Sequence, residues 1–187
     1  MTLIVVTKEL RGKAMEYRAP KLLITCPHGK EERAIEEVMN ILLLQDINAK
    51  CELTPYPGVV LVYTKLSSRS AFLKIKNSPT SYIFRVVPLD VCVETSLENI
   101  VEASLKLARC KVHKNVRFHV DCIRRGRYVS SSVLVERTVG KEIVEKLGGI
   151  VDLKKPDYIV RIEVIGVISC ISILKPDEII VKRAKPR

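Results

Sequence analysis

A strand, a basic turn and a helix follow one another between residues 116 and 147, and this pattern constrains the fold more than any other stretch. From Val116 to Cys122 apolar residues alternate with polar ones, which is the period of a half-buried strand. The segment after the turn has an apolar residue at every fourth position: Val135, Val139, Ile143 and Leu147. The sequence therefore predicts a sheet strand followed by a helix that packs on the sheet.

The turn between these two elements is rich in arginine. It holds Arg124, Arg125, Gly126 and Arg127, and three serines at 130–132 follow it. Serine is favoured where a helix begins, and the free N–H groups of a helix N-terminus suit an anion such as phosphate. Gly126 would let the turn approach a ligand closely. Ser131 and Ser132 would cap the helix, bind phosphate, or do both. The alternative is a solvated basic turn with an ordinary helix cap.

Positive charge is concentrated in the second half of the chain. The 187 residues carry a formal net charge of +11. Residues 1–94 hold 13 Lys and Arg against 10 Asp and Glu, a net of +3, whereas residues 95–187 hold 19 against 11, a net of +8. Between Lys106 and Lys141 only Asp121 and Glu136 are acidic. Such a patch indicates an acidic partner, with nucleic acid favoured over an anionic membrane.

The composition favours a protein that reads RNA shape and phosphates over one that stacks on bases. Only 5% of the residues are aromatic and there is no Trp, so a base-stacking surface is not indicated. We predict Arg124, Arg125 and Arg127 as the principal phosphate contacts. A second group of predicted contacts is Lys114, Arg117, Arg137, Lys141 and Lys155. The apolar spacing also predicts a helix that ends near residue 108. Lysines and arginines just after it would interact favourably with the negative end of the helix dipole, so part of the basic patch has a structural explanation.

The first half of the chain predicts an α+β domain. Strand and helix patterns alternate in the order βαββαβ: Leu22–Cys26, Glu31–Gln45, Ala49–Thr54, Val59–Thr64, Ser67–Asn77 and Tyr82–Val93. This is the order of a ferredoxin-like fold, a four-stranded antiparallel sheet with two helices on one face. We place a lead-in at residues 1–20, the ferredoxin-like domain at 21–94 and an α/β domain at 95–187.

Cysteine and histidine patterns point to no metal or cofactor chemistry. None of the six cysteines forms a CxxC pair, so a zinc site is not expected, and we predict buried, reduced thiols in a cytoplasmic protein. No apolar run reaches the length of a membrane span. His28 precedes a helix without a partner at a catalytic spacing, so we interpret it as a loop residue. For His113 and His119 a phosphate contact is the functional alternative.

The second half resembles a THUMP domain, an RNA-binding module of tRNA-modifying enzymes. The matching pieces are RFHVDCIRRGR at residues 117–127, the serines at 130–132 and VDLKKPDYIVRIEV at residues 151–164. The resemblance implies an α/β THUMP domain that docks on the acceptor stem and the 3′ end of tRNA. A ferredoxin-like domain ahead of a THUMP domain is also the arrangement of that family.

The chain further resembles the stand-alone THUMP adaptors of tRNA cytidine acetylation, of archaeal or eukaryotic type. PHGKEERAIEEV at residues 27–38 and YIFRVVPLD at residues 82–90 look like the first half of such an adaptor. The resemblance implies that a separate ATP-dependent RNA acetyltransferase makes N4-acetylcytidine in the D-arm.

The absence of known catalytic motifs from the sequence is a second reason to expect an adaptor. We find no GxGxxG, no P-loop and no paired carboxylates, and therefore expect no enzymatic activity and no cofactor. The alternatives are an RNA-modifying enzyme or subunit of another type, such as thiolation or methylation, and a general RNA-binding protein.

Overall fold

The computed structural model describes residues 19–178 and 180–181, which fall into two compact units. Of the described residues, the first unit contains 19–89 and the strand at Ile180–Val181, and the second unit is Asp90–Glu178. Most of the predicted lead-in lies outside the described residues, as does the basic tail: Lys182, Arg183, Lys185 and Arg187. None of the described helices is long and apolar enough to cross a membrane.

The first unit is an antiparallel sheet with two helices. In chain order its described elements are β1 (Leu22–Thr25), α1 (Glu31–Leu42), β2 (Lys50–Leu53), β3 (Val59–Tyr63), α2 (Ser68–Asn77), β4 (Arg85–Pro88) and β10 (Ile180–Val181). The strand order is β10-β4-β1-β3-β2, and every neighbouring pair is antiparallel.

Apolar periodicity explains how the first unit is packed. Ala34, Val38 and Leu42 form the buried stripe of α1, as the helical spacing predicts. The turn between β2 and β3 requires a glycine, because Gly58 has a φ of +73° and an added Cβ would lie 2.5 Å from the carbonyl oxygen of Cys26.

The stretch Tyr82–Val93, predicted as one strand, is two strands in two different sheets. The N–H of Leu89 donates to the carbonyl of Lys21 in the first unit, whereas the N–H of Asp90 donates to the carbonyl of Ile171 in the second unit. The chain therefore changes sheets between Leu89 and Asp90. Pro88 and Asp90 interrupt the apolar run at this point, but apolar residues follow on both sides, and the stretch therefore resembles one strand in the sequence.

The second unit combines a mixed sheet with two helices. Its elements are β5 (Val91–Glu94), α3 (Leu97–Ala108), β6 (Arg117–Arg125), α4 (Ser132–Leu147), β7 (Ile150–Val151), β8 (Tyr158–Ile165), β9 (Ile168–Leu174) and a 3₁₀ turn at Pro176–Glu178. The strand order is β5-β9-β8-β6-β7. β6 runs parallel to both β7 and β8, and β9 is antiparallel to β8 and β5. The mixed α and β content predicted from the sequence is confirmed.

The core of the second unit lies between α3, α4 and one face of the sheet. Phe118, Val120 and Cys122 of β6 are buried there, and the residues between them point to the other face. Val135, Val139 and Ile143 of α4 are fully buried, as their spacing predicts. β9 lies between β5 and β8 and is buried along most of its length, which agrees with its nearly continuous run of apolar and small residues.

The prediction that all cysteines are reduced thiols is wrong for one pair. Cys92 and Cys170 form a disulfide, with Cα atoms 4.0 Å apart. They are direct partners in the register of β5 and β9, which brings two positions 78 residues apart in sequence side by side. Cys26, Cys51, Cys110 and Cys122 are free. Burial raises the pKa of Cys122 to about 12, which keeps this thiol protonated.

Candidate nucleic-acid interface

The arginine-rich turn follows the end of β6, and its three arginines have different environments. Nη1 of Arg124 donates to the carbonyls of Val129 (2.9 Å) and Ser130 (3.2 Å), which holds the turn against the approach to α4. Gly126 has a φ of +94°, in the left-handed region that favours glycine. Arg127 is exposed and has no ion-pair partner within the described residues.

Arg125 takes part in a largely buried network of ion pairs, although its own side chain keeps 16% exposure. Its Nη1 lies 2.5 Å from Oε2 of Glu163, a residue that is 1% exposed. The other oxygen of Glu163 lies 2.6 Å from Nη2 of Arg161, and Arg161 also contacts Asp121. Burial pulls the pKa of Arg161 down, but the two carboxylates outweigh it and hold that pKa above its usual value. The charge of Arg125 is therefore balanced inside the protein.

The serines after the turn divide into a cap and a helical residue. Ser131 has an extended backbone, and its hydroxyl accepts a hydrogen bond from the N–H of Leu134 at 3.0 Å. Ser132 is the first residue of α4. The hydroxyl of Ser131 therefore caps α4, as one of the two sequence-based alternatives predicts, and it satisfies one of the first-turn N–H groups that have no acceptor within the helix.

Several exposed cations lie at the opposite end of β6, where the strand begins. We name this group the basic end; its members are Arg109, Lys111, Lys114, Lys154 and Lys155. Arg109 closes α3 and the following loop leads into β6. Lys114 lies beside Gly148, which ends α4. Lys154 and Lys155 lie in the turn before β8, separated from it by Pro156 and Asp157, and the first residue of β8 pairs with Phe118.

The acidic residues near the basic end are already engaged. Asp152 accepts hydrogen bonds from the backbone N–H groups of Lys154 and Lys155, which lower its pKa. Arg117 forms a two-point contact with Asp157, with Nη2 2.8 Å from Oδ1 and Nε 3.3 Å from Oδ2. This leaves the ammonium groups of the basic end without carboxylate partners among the described residues, whereas Arg117 is paired.

The predicted contacts are therefore split between two ends of the sheet. β6 has nine residues, so its ends are about 26 Å apart at a rise of about 3.3 Å per residue. Lys114 and Lys155 lie at the basic end, and Arg124 and Arg127 lie at the other. Arg137 and Lys141 project from α4, which runs back along this distance; Nζ of Lys141 is 3.8 Å from Glu145.

Three cations of the basic end were not among the predicted contacts. Arg109 and Lys111 follow α3, and we attributed their positive charge to a favourable interaction with the C-terminus of that helix. Lys154 is the neighbour of the predicted contact Lys155. The sequence feature that could have identified Lys154 as an RNA contact is the turn motif Lys-Lys-Pro-Asp, to which it belongs. Only the parallel pairing of β6 with β8 brings this turn to the start of β6.

A groove of about 540 Å³ runs beside α4. It is lined by His119 and Val120 of β6, Arg137 and Gly140 of α4, and Leu153 among others. An added Cβ on Gly140 would meet only Val120 Cγ2, at 3.9 Å, so packing alone does not require glycine there.

Comparison with known proteins confirms the nature of the second unit. Residues 94–174 match the family model of the THUMP domain, so the THUMP domain predicted from the sequence is confirmed. A tRNA sulfurtransferase of Pseudomonas syringae pv. tomato is 39% identical over 64 residues, which are 31% of this chain and 13% of the bacterial protein.

Solved structures share the fold over most of this chain. PH1313 from Pyrococcus horikoshii Ot3 has a TM-score of 0.69 at 19% identity, covering 83% of this chain and 54% of its own. A 4-thiouridine synthetase in complex with RNA and ATP has a TM-score of 0.56 at 16% identity, covering 83% of this chain and 42% of its own. This chain thus spans about half of each solved relative and a smaller part of the sulfurtransferase.

Proposed function

We propose that this chain, whose residues 94–174 form a THUMP domain, binds tRNA and presents it for modification. The observation that carries the proposal is the basic end of that domain, where five exposed cations have no carboxylate partner among the described residues. Phosphate contacts of this kind position folded RNA without reading its sequence. The acceptor stem and 3′ end of tRNA are the target that the THUMP resemblance implies.

We propose in addition that the chain is a non-catalytic, cytoplasmic adaptor. In this role it would hand tRNA to a separate RNA acetyltransferase that forms N4-acetylcytidine in the D-arm. The support is the resemblance of residues 27–38 and 82–90 to such adaptors. We also assign the first unit to the ferredoxin-like class, supported by its βαββαβ order and the strand order β4-β1-β3-β2.

A second candidate function is a part in tRNA thiolation or methylation. It is favoured by the names of the proteins that match, which include a tRNA sulfurtransferase and a 4-thiouridine synthetase. Both candidates share the tRNA-binding step and differ in the reaction that follows.

Salt-dependent tRNA binding tests the shared step. Each phosphate contact contributes a slope of roughly −0.9 to the dependence of log K on log salt. The variant Lys114→Ala/Lys154→Ala/Lys155→Ala should bind tRNA at least about tenfold more weakly and flatten the slope by about 2 to 3. Lys65→Ala, an exposed lysine of the first unit, is the matched control. Unchanged binding by the triple variant would remove the basic end as the RNA contact.

A separate variant is needed to test whether the arginine-rich turn after β6 contacts tRNA. Arg127→Ala removes an unpaired cation, whereas Arg125→Ala would remove one of the two arginines that pair with the buried Glu163 and would disturb the fold. A clear loss of tRNA affinity in Arg127→Ala would place the RNA across both ends of β6.

Product analysis separates the candidate reactions. Unmodified tRNA is incubated with the purified chain and acetyl-CoA, ATP, S-adenosylmethionine or a sulfur donor, with and without a tRNA acetyltransferase. The adaptor proposal expects N4-acetylcytidine only when chain and acetyltransferase are both present. A modified nucleoside formed by the chain alone would instead establish an enzyme.

A further inference from the structure

The edge of β6 that faces β7 is paired over only a short part of its length. β7 has two residues and pairs with Arg117 and Phe118, at the start of the nine-residue strand. β6 lies between β8 and β7, so no other described strand pairs with it on this side from His119 to Arg125. An open edge of this kind is a template for a further strand.

Backbone groups of β6 are turned toward this open side. The carbonyl of Phe118 accepts from the N–H of Asp152, which follows β7. Because backbone groups point alternately to the two sides of a strand, those of Val120 and Cys122 point to the same side as the carbonyl of Phe118. The N–H of Cys122 donates to Oε1 of Glu136 at 3.0 Å. The N–H and carbonyl of Val120 have no partner on this side among the described residues, although Val120 is only 5% exposed. A buried, unpaired backbone group is destabilising, so this edge favours a partner that supplies both a donor and an acceptor.

The groove beside α4 follows the open edge and has apolar walls. Its aliphatic lining includes Val133 and Val144 of α4, Val151 at the end of β7, and Leu153. These four side chains are between 41% and 69% exposed. Gly140 also lines the groove, and an added Cβ there would meet only one side-chain atom, at 3.9 Å. The glycine therefore preserves space that a side chain could occupy without a clash.

The two carboxylates that line the groove are engaged, whereas one of its cations is not. Glu136 accepts the backbone N–H of β6, and Oε1 of Glu145 lies 3.8 Å from Nζ of Lys141. Arg137 is exposed and has no carboxylate partner among the described residues. An acidic side chain on the occupant would therefore complement the charge of the groove.

An extended peptide fits these features better than RNA does. A peptide strand supplies both N–H and carbonyl groups to the open edge, and its alternate side chains can contact the aliphatic walls. Phosphate groups only accept hydrogen bonds and would be repelled by the carbonyls of the edge. We propose that a net-negative, extended peptide of a partner protein adds to the second sheet as a strand beside residues 120–124 of β6. This site goes beyond the proposed tRNA-binding role.

A peptide library tests the site on the full chain. The probes are labelled peptides of about ten residues, with aliphatic residues at alternate positions and Asp or Glu between them. Fluorescence anisotropy should find peptides that bind with a Kd of about 10 µM or tighter. Methylation of the backbone nitrogens of such a peptide should weaken its binding at least about tenfold, because the methylated groups cannot donate to the carbonyls of β6.

Variants of the groove locate the binding site. Gly140→Leu places a side chain in the groove, and Val144→Ser removes part of its apolar wall. Each should weaken peptide binding at least about tenfold. Val167→Ser is the matched control, because this valine is 53% exposed and lies outside the groove; it should bind peptide as the parent does. Val144→Ser should also keep the melting temperature of the parent, since its side chain is largely exposed.

Three results would overturn the inference: no peptide that binds at about 100 µM, equal binding of the methylated peptide, and equal binding by Val144→Ser. A single-stranded RNA oligonucleotide that binds the parent and loses affinity in Val144→Ser would assign the groove to RNA instead. tRNA binding measured on the same samples keeps the two proposals separate. A chain that binds tRNA but no peptide rejects this inference alone, whereas one that binds peptide but no tRNA rejects the proposed function alone.

Discussion

Arg124, Arg125 and Arg127 look equivalent in the sequence, but the geometry of β6 gives each a different role. Successive side chains of a strand point to opposite faces, so Arg124 points toward the helices and Arg125 toward Glu163. Only Arg127, beyond the strand, has no partner within the described residues. The sequence predicts where positive charge accumulates, but not which charges are balanced, because Glu163 comes 38 residues after Arg125.

The ion pair between Arg117 and Asp157 can be tested by its pH dependence. Its carboxylate accepts hydrogen bonds from the side chain of Arg117 and then from the Arg117 backbone, and these lower the pKa of Asp157 below its ordinary 3.8. Because the folded-state pKa is the lower one, the contact stabilises the protein above about pH 3.8. This stabilisation is lost as the pH falls through the folded-state value. A carboxyl NMR titration should give a midpoint below 3.8 for Asp157.

The control for this titration is Arg117→Ala. Removing the guanidinium takes away the two side-chain hydrogen bonds and should move the midpoint of Asp157 upward. An identical midpoint in both proteins would show that the ion pair does not form in solution.

At the scale of elements, periodicity predicted most of the helices and strands and misplaced their ends. Thr95 and Ser96 both precede α3 and both are residue types that cap helices, but Ser96 is the cap, because its hydroxyl accepts a hydrogen bond from the N–H of Asn99. Thr95 instead shares a hydrogen bond with Ser169 of β9. Cap identity depends on such long-range partners, whereas the buried stripe of a helix depends on its own spacing.

The cap of α4 is a testable part of the interface. Replacing Ser131 with Ala removes the acceptor for the N–H of Leu134 and should lower the free energy of unfolding by about 1 kcal/mol. Urea denaturation followed by circular dichroism measures this loss. Ser130→Ala is the matched control, because Arg124 binds the carbonyl of Ser130 and not its hydroxyl. Equal stabilities of the two variants would contradict the assignment of the cap.

At the scale of the whole molecule, the sequence predicted both the mixed fold and the THUMP domain, but not the disulfide between β5 and β9. Each half carries its own apolar periodicity, and this local information is enough to identify the elements. The pairing of Cys92 with Cys170 depends on the register of strands that are far apart in sequence. The division of the predicted cations between two ends of β6 has the same origin, because it follows from sheet order.

Reduction of the disulfide should lower the stability of the second unit. A disulfide typically contributes about 2 to 4 kcal/mol to stability, largely by restricting the unfolded chain. Thermal unfolding with and without a phosphine reductant should therefore differ by several degrees. Cys92→Ser should reproduce the loss, and Cys110→Ser, at an exposed free cysteine, should not. Alkylation of six thiols after the unreduced protein has been unfolded in denaturant would contradict the bond, whereas four are expected.

The pairing of β10 with β4 has a consequence for how proteolysis or truncation can divide the molecule. The chain leaves the first sheet after Pro88 and rejoins it at Ile180, so the THUMP unit is inserted within the first unit and not appended to it. A single protease cut between Leu89 and Asp90 would leave β10 on the fragment that carries the THUMP unit, so the two fragments would be held together by the hydrogen bonds between β10 and β4 and would separate only on denaturation. A fragment that stops at Leu89 would also leave β4 as a bare edge strand, a surface prone to self-association.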